Sequence, residues 1–158
     1  MNWTTNKMTE SYAKEILLWQ YDSPYDFYNN ELTDESLKEL MNDTYLAVID
    51  ETKQLTGYYC TGISAIVPAG NEYGAYNESM IDIGLGLKPE LTGAGRGGSF
   101  LAFILQNIEN ANIQCLPLRL TVASFNKRAI KLYENVGFIT QQSFDSKGIT
   151  FQTMIKYK

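Results

Sequence analysis

Six of the twelve glycines in this chain fall between Gly84 and Gly98. A run with strand character, Met80 to Leu87, leads into them. An amphipathic run, Ser99 to Asn110, leads out, with Phe100, Phe103, Ile104 and Ile108 on one stripe. A strand that reaches a helix through glycines exposes backbone donors, because the first N–H groups of an α-helix have no intrahelical acceptor. With the helix dipole they form a site for an anion such as a phosphate or pyrophosphate. Glycine lets the backbone approach the anion and adopt positive φ. Arg96 can add a charge-assisted contact. The same residues also read as a plain flexible turn that binds nothing.

Two common phosphate loops are excluded. No Lys follows the glycines, so a G-x-x-x-x-G-K-S/T loop fails. Gly93 to Gly98 contains G-x-G-x-x-G, but it lies past the middle of the chain. It also follows antiparallel-looking strands rather than opening a βαβ unit, so a dinucleotide fingerprint is discounted.

The rest of the chain shows no repeat, low-complexity run or linker, and 158 residues suit one domain, 1–158. Thr9 is placed to cap a helix to about Gln20, and Thr33 a short helix carrying Leu37, Leu40 and Met41. Tyr21 to Asn30 has neither period. Thr44 to Asp50 and Thr56 to Val67 read as a hairpin, and Pro68 to Ser79 as a loop. Leu118 to Ala123 is a strand. Asn126 caps a helix to Val136, with Ala129, Leu132, Tyr133 and Val136 on one face and Gly137 at C′. Phe138 to Phe144 and Ile149 to Tyr157 close the chain as a hairpin around Ser146-Lys147-Gly148.

Composition removes whole chemistries. The chain has no His, so no Ser-His-Asp triad, Cys-His dyad or imidazole-bound metal is available. Acid–base work falls to carboxylates, Tyr, Lys, Cys, backbone or water. A net charge of −5 and the absence of a basic run argue against nucleic acid as a partner and favour cationic ones. Cys60 and Cys115 read as ordinary core thiols of a reducing compartment. No signal-peptide pattern opens the chain, and no apolar run reaches the roughly 18 residues of a membrane span. The expected location is the cytoplasm, without a membrane partner.

Leu118 to Phe138 contains a strand followed by N-x-x-A-x-x-L-Y-x-x-x-G-F: Asn126, Ala129, Leu132, Tyr133, Gly137 and Phe138. This block strongly resembles the last conserved block of the GCN5-related N-acetyltransferase (GNAT) superfamily. Upstream, Thr92-Gly93-Ala94-Gly95-Arg96-Gly97-Gly98 resembles that family's acetyl-CoA loop. The loop's usual first residue, Arg or Gln, is Thr92 here. The blocks have the family's order and spacing over about Met80 to Phe138. The resemblance implies an α/β (α+β) fold: a mixed, mostly antiparallel sheet of six to seven strands, flanked by about four helices and splayed between the fourth and fifth strands. It also implies acetyl-CoA as acyl donor.

The resemblance assigns roles. Backbone groups near Leu85, Gly86 and Leu87 would pair with the pantetheine amides like an added strand. Thr92, Gly93, Ala94, Gly95, Arg96, Gly97 and Gly98 would hold the pyrophosphate, mainly through N–H groups. Asn126 matches a position that contacts the pantetheine arm, and it is equally a plain N-cap. Tyr133 matches the general acid that protonates the departing thiolate, and it also fits the helix's core stripe. Asp82 occupies the place of a Glu found in several subfamilies. It is a candidate water-mediated base or ligand of the substrate amine, and equally an ordinary structural carboxylate. Glu78 is a weaker candidate.

Nine of the eleven Tyr precede Asn77. Trp19, Tyr21, Tyr25, Phe27, Tyr28, Tyr73 and Tyr76, with Asp22 and Asp26, could line an acceptor site for a cation, or simply form core. The expected activity is acetyl transfer to a primary amine of a small molecule or a protein N-terminus. The competing reading is a non-catalytic acyl-CoA-binding sensor or interaction module. The resemblance also allows a homodimer.

Overall fold

The computed structural model describes residues 2–158. In chain order the elements are β1 (Thr4–Lys7), α1 (Glu10–Leu17), a 3-10 turn (Tyr25–Tyr28), α2 (Asp34–Leu40), β2 (Tyr45–Ile49) and β3 (Leu55–Thr61). Two further 3-10 turns follow, Gly62–Ala65 and Pro68–Tyr73, then β4 (Ile81–Leu87) and a short turn, Pro89–Leu91. The chain ends with α3 (Gly97–Ala111), β5 (Leu118–Ala123), α4 (Lys127–Asn135), β6 (Ile139–Ser146) and β7 (Ile149–Lys156). The strands form one seven-stranded sheet in the order β1-β2-β3-β4-β5-β7-β6. β4 and β5 run parallel, whereas β1–β2, β2–β3, β5–β7 and β6–β7 are antiparallel. The mixed, mostly antiparallel sheet expected from the sequence is therefore present. The parallel ladder joins Ile81–Ile83 to Leu118–Leu120, and β4 runs on to Leu87 beyond its last position in that ladder.

Two compact units divide the chain: residues up to Cys60 with Leu85–Ile104, and Thr61–Gly84 with Leu105–Lys158. In the first unit α1 and α2 start where capping side chains dictate. Thr9 accepts from the Tyr12 N–H, and Thr33 forms a capping box with Ser36. Ala13, Ile16 and Leu17 of α1 join Met8, Trp19, Leu40, Ala47, Ile49 and Leu55 in one buried cluster. Tyr12, Tyr21, Leu37, Tyr45 and Tyr58 pack against it. Trp3 packs edge-on against Phe100, with ring centroids 5.7 Å apart. A Cβ on Gly57 would collide with the Phe100 ring and lie 2.7 Å from the Gly86 carbonyl oxygen. A Cβ on Gly86 would run into the Tyr58 ring, 2.9 Å from its hydroxyl. These two glycines make room for an aromatic ring each.

In the second unit β5 and β7 supply Leu118, Leu120, Met154 and Ile155, and Phe138 and Phe144 are buried with them. Phe144 stacks between Tyr73 and Phe151, at 5.8 and 5.9 Å. The β6–β7 hairpin turns at Lys147 and Gly148, whose φ values are 51° and 82°. Two positive φ values in a two-residue loop match the twist of the flanking strands.

Several boundaries differ from the sequence reading. β1 was not foreseen, because four polar residues at a sheet edge carry no apolar period. β3 ends at Thr61, since Gly62 turns the chain with φ 80°. α1 stops at Leu17, short of Gln20. Gly97 and Gly98 lie inside α3 rather than in the turn before it. Cys60 is buried, but Cys115, expected in the core, is exposed.

Gly57→Ala is expected to destabilise the protein by about 1–3 kcal/mol through overpacking against Phe100. That corresponds to a Tm loss of roughly 2–12 °C for a chain of this size, measured by thermal unfolding. An unchanged Tm would mean that both the Phe100 ring and the Gly86 backbone give way without cost.

Candidate active site

The expected site residues fall into two sets, one in each unit. Leu85 to Leu87 and Thr92 to Gly98 belong to the first unit, and Asp82, Asn126 and Tyr133 to the second.

In the first unit the Thr92 hydroxyl donates to the Pro89 carbonyl at 2.7 Å and closes the turn after β4. Gly93 and Gly95 follow with φ values of 72° and 76°, a conformation that disfavours a Cβ. Around Gly95 nothing lies within 4 Å of an added Cβ, so the glycine is required by its backbone angle rather than by space. The Phe100 N–H donates to the Arg96 carbonyl at 3.0 Å, which opens the helical ladder of α3. Arg96 therefore stands at the cap, and Gly97, Gly98 and Ser99 contribute the first-turn N–H groups of a 15-residue helix. These donors and the helix dipole suit a phosphate oxygen.

β4 contributes an edge. The Lys88 N–H donates to the Thr56 carbonyl, and the Ile81 N–H to Pro117 on the other side. Backbone groups alternate between the two edges, so those of Leu85 and Leu87 share the edge of Ile81 and Ile83. The Tyr21 hydroxyl donates to the Leu87 carbonyl at 2.7 Å. The sequence reading placed Tyr21 near an acceptor and did not foresee that contact.

Tyr21, Tyr45 and Tyr58 all titrate above the ordinary phenol range. Burial is the largest cause for each, and it pushes Tyr58 up to about 12. They remain neutral hydroxyls at any working pH.

In the second unit parallel register sets Asp82 directly opposite Arg119. The guanidinium donates from Nε to one Asp82 oxygen at 2.6 Å and from Nη2 to the other at 2.8 Å. Nη1 donates to the Glu78 carbonyl at 3.0 Å. The Tyr76 ring lies 5.1 Å from the guanidinium carbon. The Tyr76 hydroxyl bonds Thr121 at 2.7 Å and accepts the Val67 N–H at 3.0 Å. Arg119 is 2 % exposed. The sequence reading missed this partner of Asp82. A signal existed: Arg119 is the single charge in the apolar strand LRLTVA, and a buried charge requires a partner.

Asn126 caps α4 by accepting the Ala129 N–H at 3.1 Å, which is the capping half of its expected role. Tyr133 is half-buried on α4, with its ring edge-on to Phe138 at 6.1 Å.

No family model and no curated protein matches the sequence. Solved structures do match. The aminoglycoside acetyltransferase AAC(6')-Ib in complex with coenzyme A aligns with TM-score 0.72 at 18% identity, over 99% of this chain and 95% of that one. A chimera of the spermidine N-acetyltransferase SpeG from Vibrio cholerae and hSSAT aligns with TM-score 0.67 at 20% identity, over 99% and 96%. A GNAT-family acetyltransferase from Bacillus anthracis aligns with TM-score 0.70 at 14% identity, over 99% and 95%. The chain has the fold of the GCN5-related N-acetyltransferases.

Two outcomes follow from the ion pair and the phenols. Arg119→Met and Asp82→Asn are each expected to cost about 3–5 kcal/mol in denaturant unfolding, and the double variant less than the sum. Strict additivity would show that the pair is not coupled. For the phenols, both states are protonated below about pH 10. Above it the unfolded chain deprotonates first, so stability falls as pH rises, by up to about 1.4 kcal/mol per pH unit per Tyr. Unfolding measured between pH 9 and 12, with Tyr58→Phe as comparison, reads this slope.

Proposed function

We propose that residues 1–158 form one acyltransferase domain that moves the acetyl group of acetyl-CoA to a primary amine. One observation carries the proposal. In a single unit, an edge of β4 bearing the backbone groups of Leu85 and Leu87 leads through a glycine turn to the first-turn donors of α3. The edge suits the pantetheine amides by strand addition, and the donors suit the pyrophosphate. The fold supports the same reading, since one structural neighbour is a coenzyme A complex.

The reaction begins with a neutral amine at the thioester carbonyl. A C–N bond forms, the C–S bond breaks, and the amine proton passes to water. The departing thiolate takes a proton from a hydroxyl, which we assign to Tyr133 on the strength of the N-x-x-A-x-x-L-Y-x-x-x-G-F block. Tyr133 regains its proton from solvent. Asn126 is assigned to the pantetheine arm in addition to its cap. Asp82 enters with both oxygens already bonded to Arg119. This supports a structural role first, and a base or amine-ligand role only through its remaining lone pairs.

A small-molecule amine is the acceptor class we favour. From Glu15 to Leu37 the chain carries Glu15, Asp22, Asp26, Glu31, Asp34 and Glu35 and no Lys or Arg. A cationic acceptor suits that charge, and the neighbours named above act, by name, on spermidine and aminoglycosides. No helix among the described residues is long and apolar enough to cross a membrane.

Acetyl-CoA at a hundredfold excess over its Kd should add about 2.7 kcal/mol of stability, roughly 5–10 °C in Tm, while NAD adds none. Thiol release with a panel of amines should then follow, and Tyr133→Phe should lower kcat about 10²–10⁴-fold with CoA affinity retained. Binding without turnover on any amine would favour the sensor module. No stabilisation by acetyl-CoA would overturn the proposal.

A further inference from the structure

The first unit holds one contact that ties a loop to the ligand-facing edge of β4. We propose that Tyr21 is a positioning residue for the cofactor arm. Its hydroxyl, through the Leu87 carbonyl, fixes the edge that receives the pantetheine amides and anchors the loop between α1 and α2 to that edge. The inference rests on the acetyl-CoA reading above and deepens it.

The geometry is local and specific. The Tyr21 hydroxyl sits 2.7 Å from the Leu87 carbonyl oxygen. The Tyr21 N–H donates to Asn29 Oδ1 at 2.7 Å, and Asn29 Nδ2 donates to the Gln20 side chain at 3.1 Å. Within the loop, the Tyr25 N–H meets the Asp22 carbonyl and the Asn29 N–H meets the Asp26 carbonyl. The segment from Tyr21 to Asn29 is therefore closed on itself, and the Tyr21 side chain carries its bond to β4. A carbonyl has two lone pairs. Tyr21 takes one at Leu87 and leaves the other for an amide N–H of an extended ligand. The residue before Leu87 is Gly86, against which the Tyr58 ring lies, so the strand is held on its face as well as at its edge. A phenol kept neutral by burial remains a donor across the working pH range.

This makes a separable prediction for the two parts of CoA. The adenosine 3′-phosphate 5′-pyrophosphate fragment carries the phosphates but no pantetheine. Tyr21→Phe keeps the ring and removes the donor. Calorimetric titration should show CoA binding weakened about 2- to 12-fold, the range of one hydrogen bond, with the KM for acetyl-CoA rising in parallel. Affinity for the fragment should stay unchanged. A general loss of folding would weaken both ligands equally, and that result overturns the inference, as does unchanged CoA affinity. Failure of the wild-type protein to bind CoA would instead overturn the acetyl-CoA reading, and this inference with it. If Tyr21→Phe does not fold, Asn29→Ala decides the matter by the same readings. It frees the Tyr21 backbone while keeping the hydroxyl, and a selective, smaller loss for CoA is expected.

Discussion

A guanidinium taken out of water costs several kcal/mol unless its donors are met and its charge is balanced. The second unit is organised around meeting that requirement at Arg119. Parallel pairing puts Asp82 opposite it, and the fork of Nε and Nη2 fits the two carboxylate oxygens. The remaining arm reaches the Glu78 carbonyl and the Tyr76 face. Tyr76 in turn holds Val67 and Thr121. One buried charge thus fixes the start of β4, the middle of β5 and the segment that precedes β4. A slip of the parallel ladder by one residue would send Asp82 to the opposite face and leave Arg119 unpaired, so the pair also specifies register.

The first unit solves a different problem, that of keeping a strand edge available while its faces are packed. Gly57 and Gly86 have no side chains, and aromatic rings occupy the space: Phe100 against one, Tyr58 against the other. The strand is clamped without a side chain of its own at Gly86, which leaves the backbone as its chemical surface. Tyr21 then bonds one carbonyl of that surface. The aromatic richness of the N-terminal third has the same explanation. Of the aromatics that could line an acceptor site or form core, Trp19 is in the buried cluster and Tyr21 packs against it, beside Tyr45 and Tyr58, whereas Phe27 and Tyr73 are exposed. Phenols serve better than Phe here because a ring can be buried while its hydroxyl meets a polar atom at the rim.

Much of this was legible in the residues. Thr9, Thr33 and Asn126 predict three helix starts, and all three side chains accept the first-turn N–H that a cap should. β5 has the predicted bounds because an alternating apolar run with clear flanks leaves little freedom. What escaped was long-range. β1 is polar and is a strand only because β2 lies beside it. The Arg119–Asp82 pair joins residues 37 apart, and no local pattern names that pairing. The link from Tyr21 to Leu87 spans 66 residues. Sequence periodicity reports which face is buried; it does not report which polar atom meets which.

The departure at Thr92 is informative for the same reason. A long Arg or Gln side chain at that position could reach outward to a ligand, whereas the Thr92 hydroxyl turns inward to the Pro89 carbonyl. The chain thus uses the position to shape the turn. On the acetyl-CoA reading proposed above, the donors offered to a phosphate then belong to the backbone, and a backbone donor is set by φ and ψ rather than by residue type. Gly93 and Gly95, both at positive φ, are the residues on which that shape depends, with Gly97 and Gly98 opening α3 behind them. A turn built this way tolerates a change at its first side chain and resists one at its glycines, which is what the proposed pyrophosphate site requires.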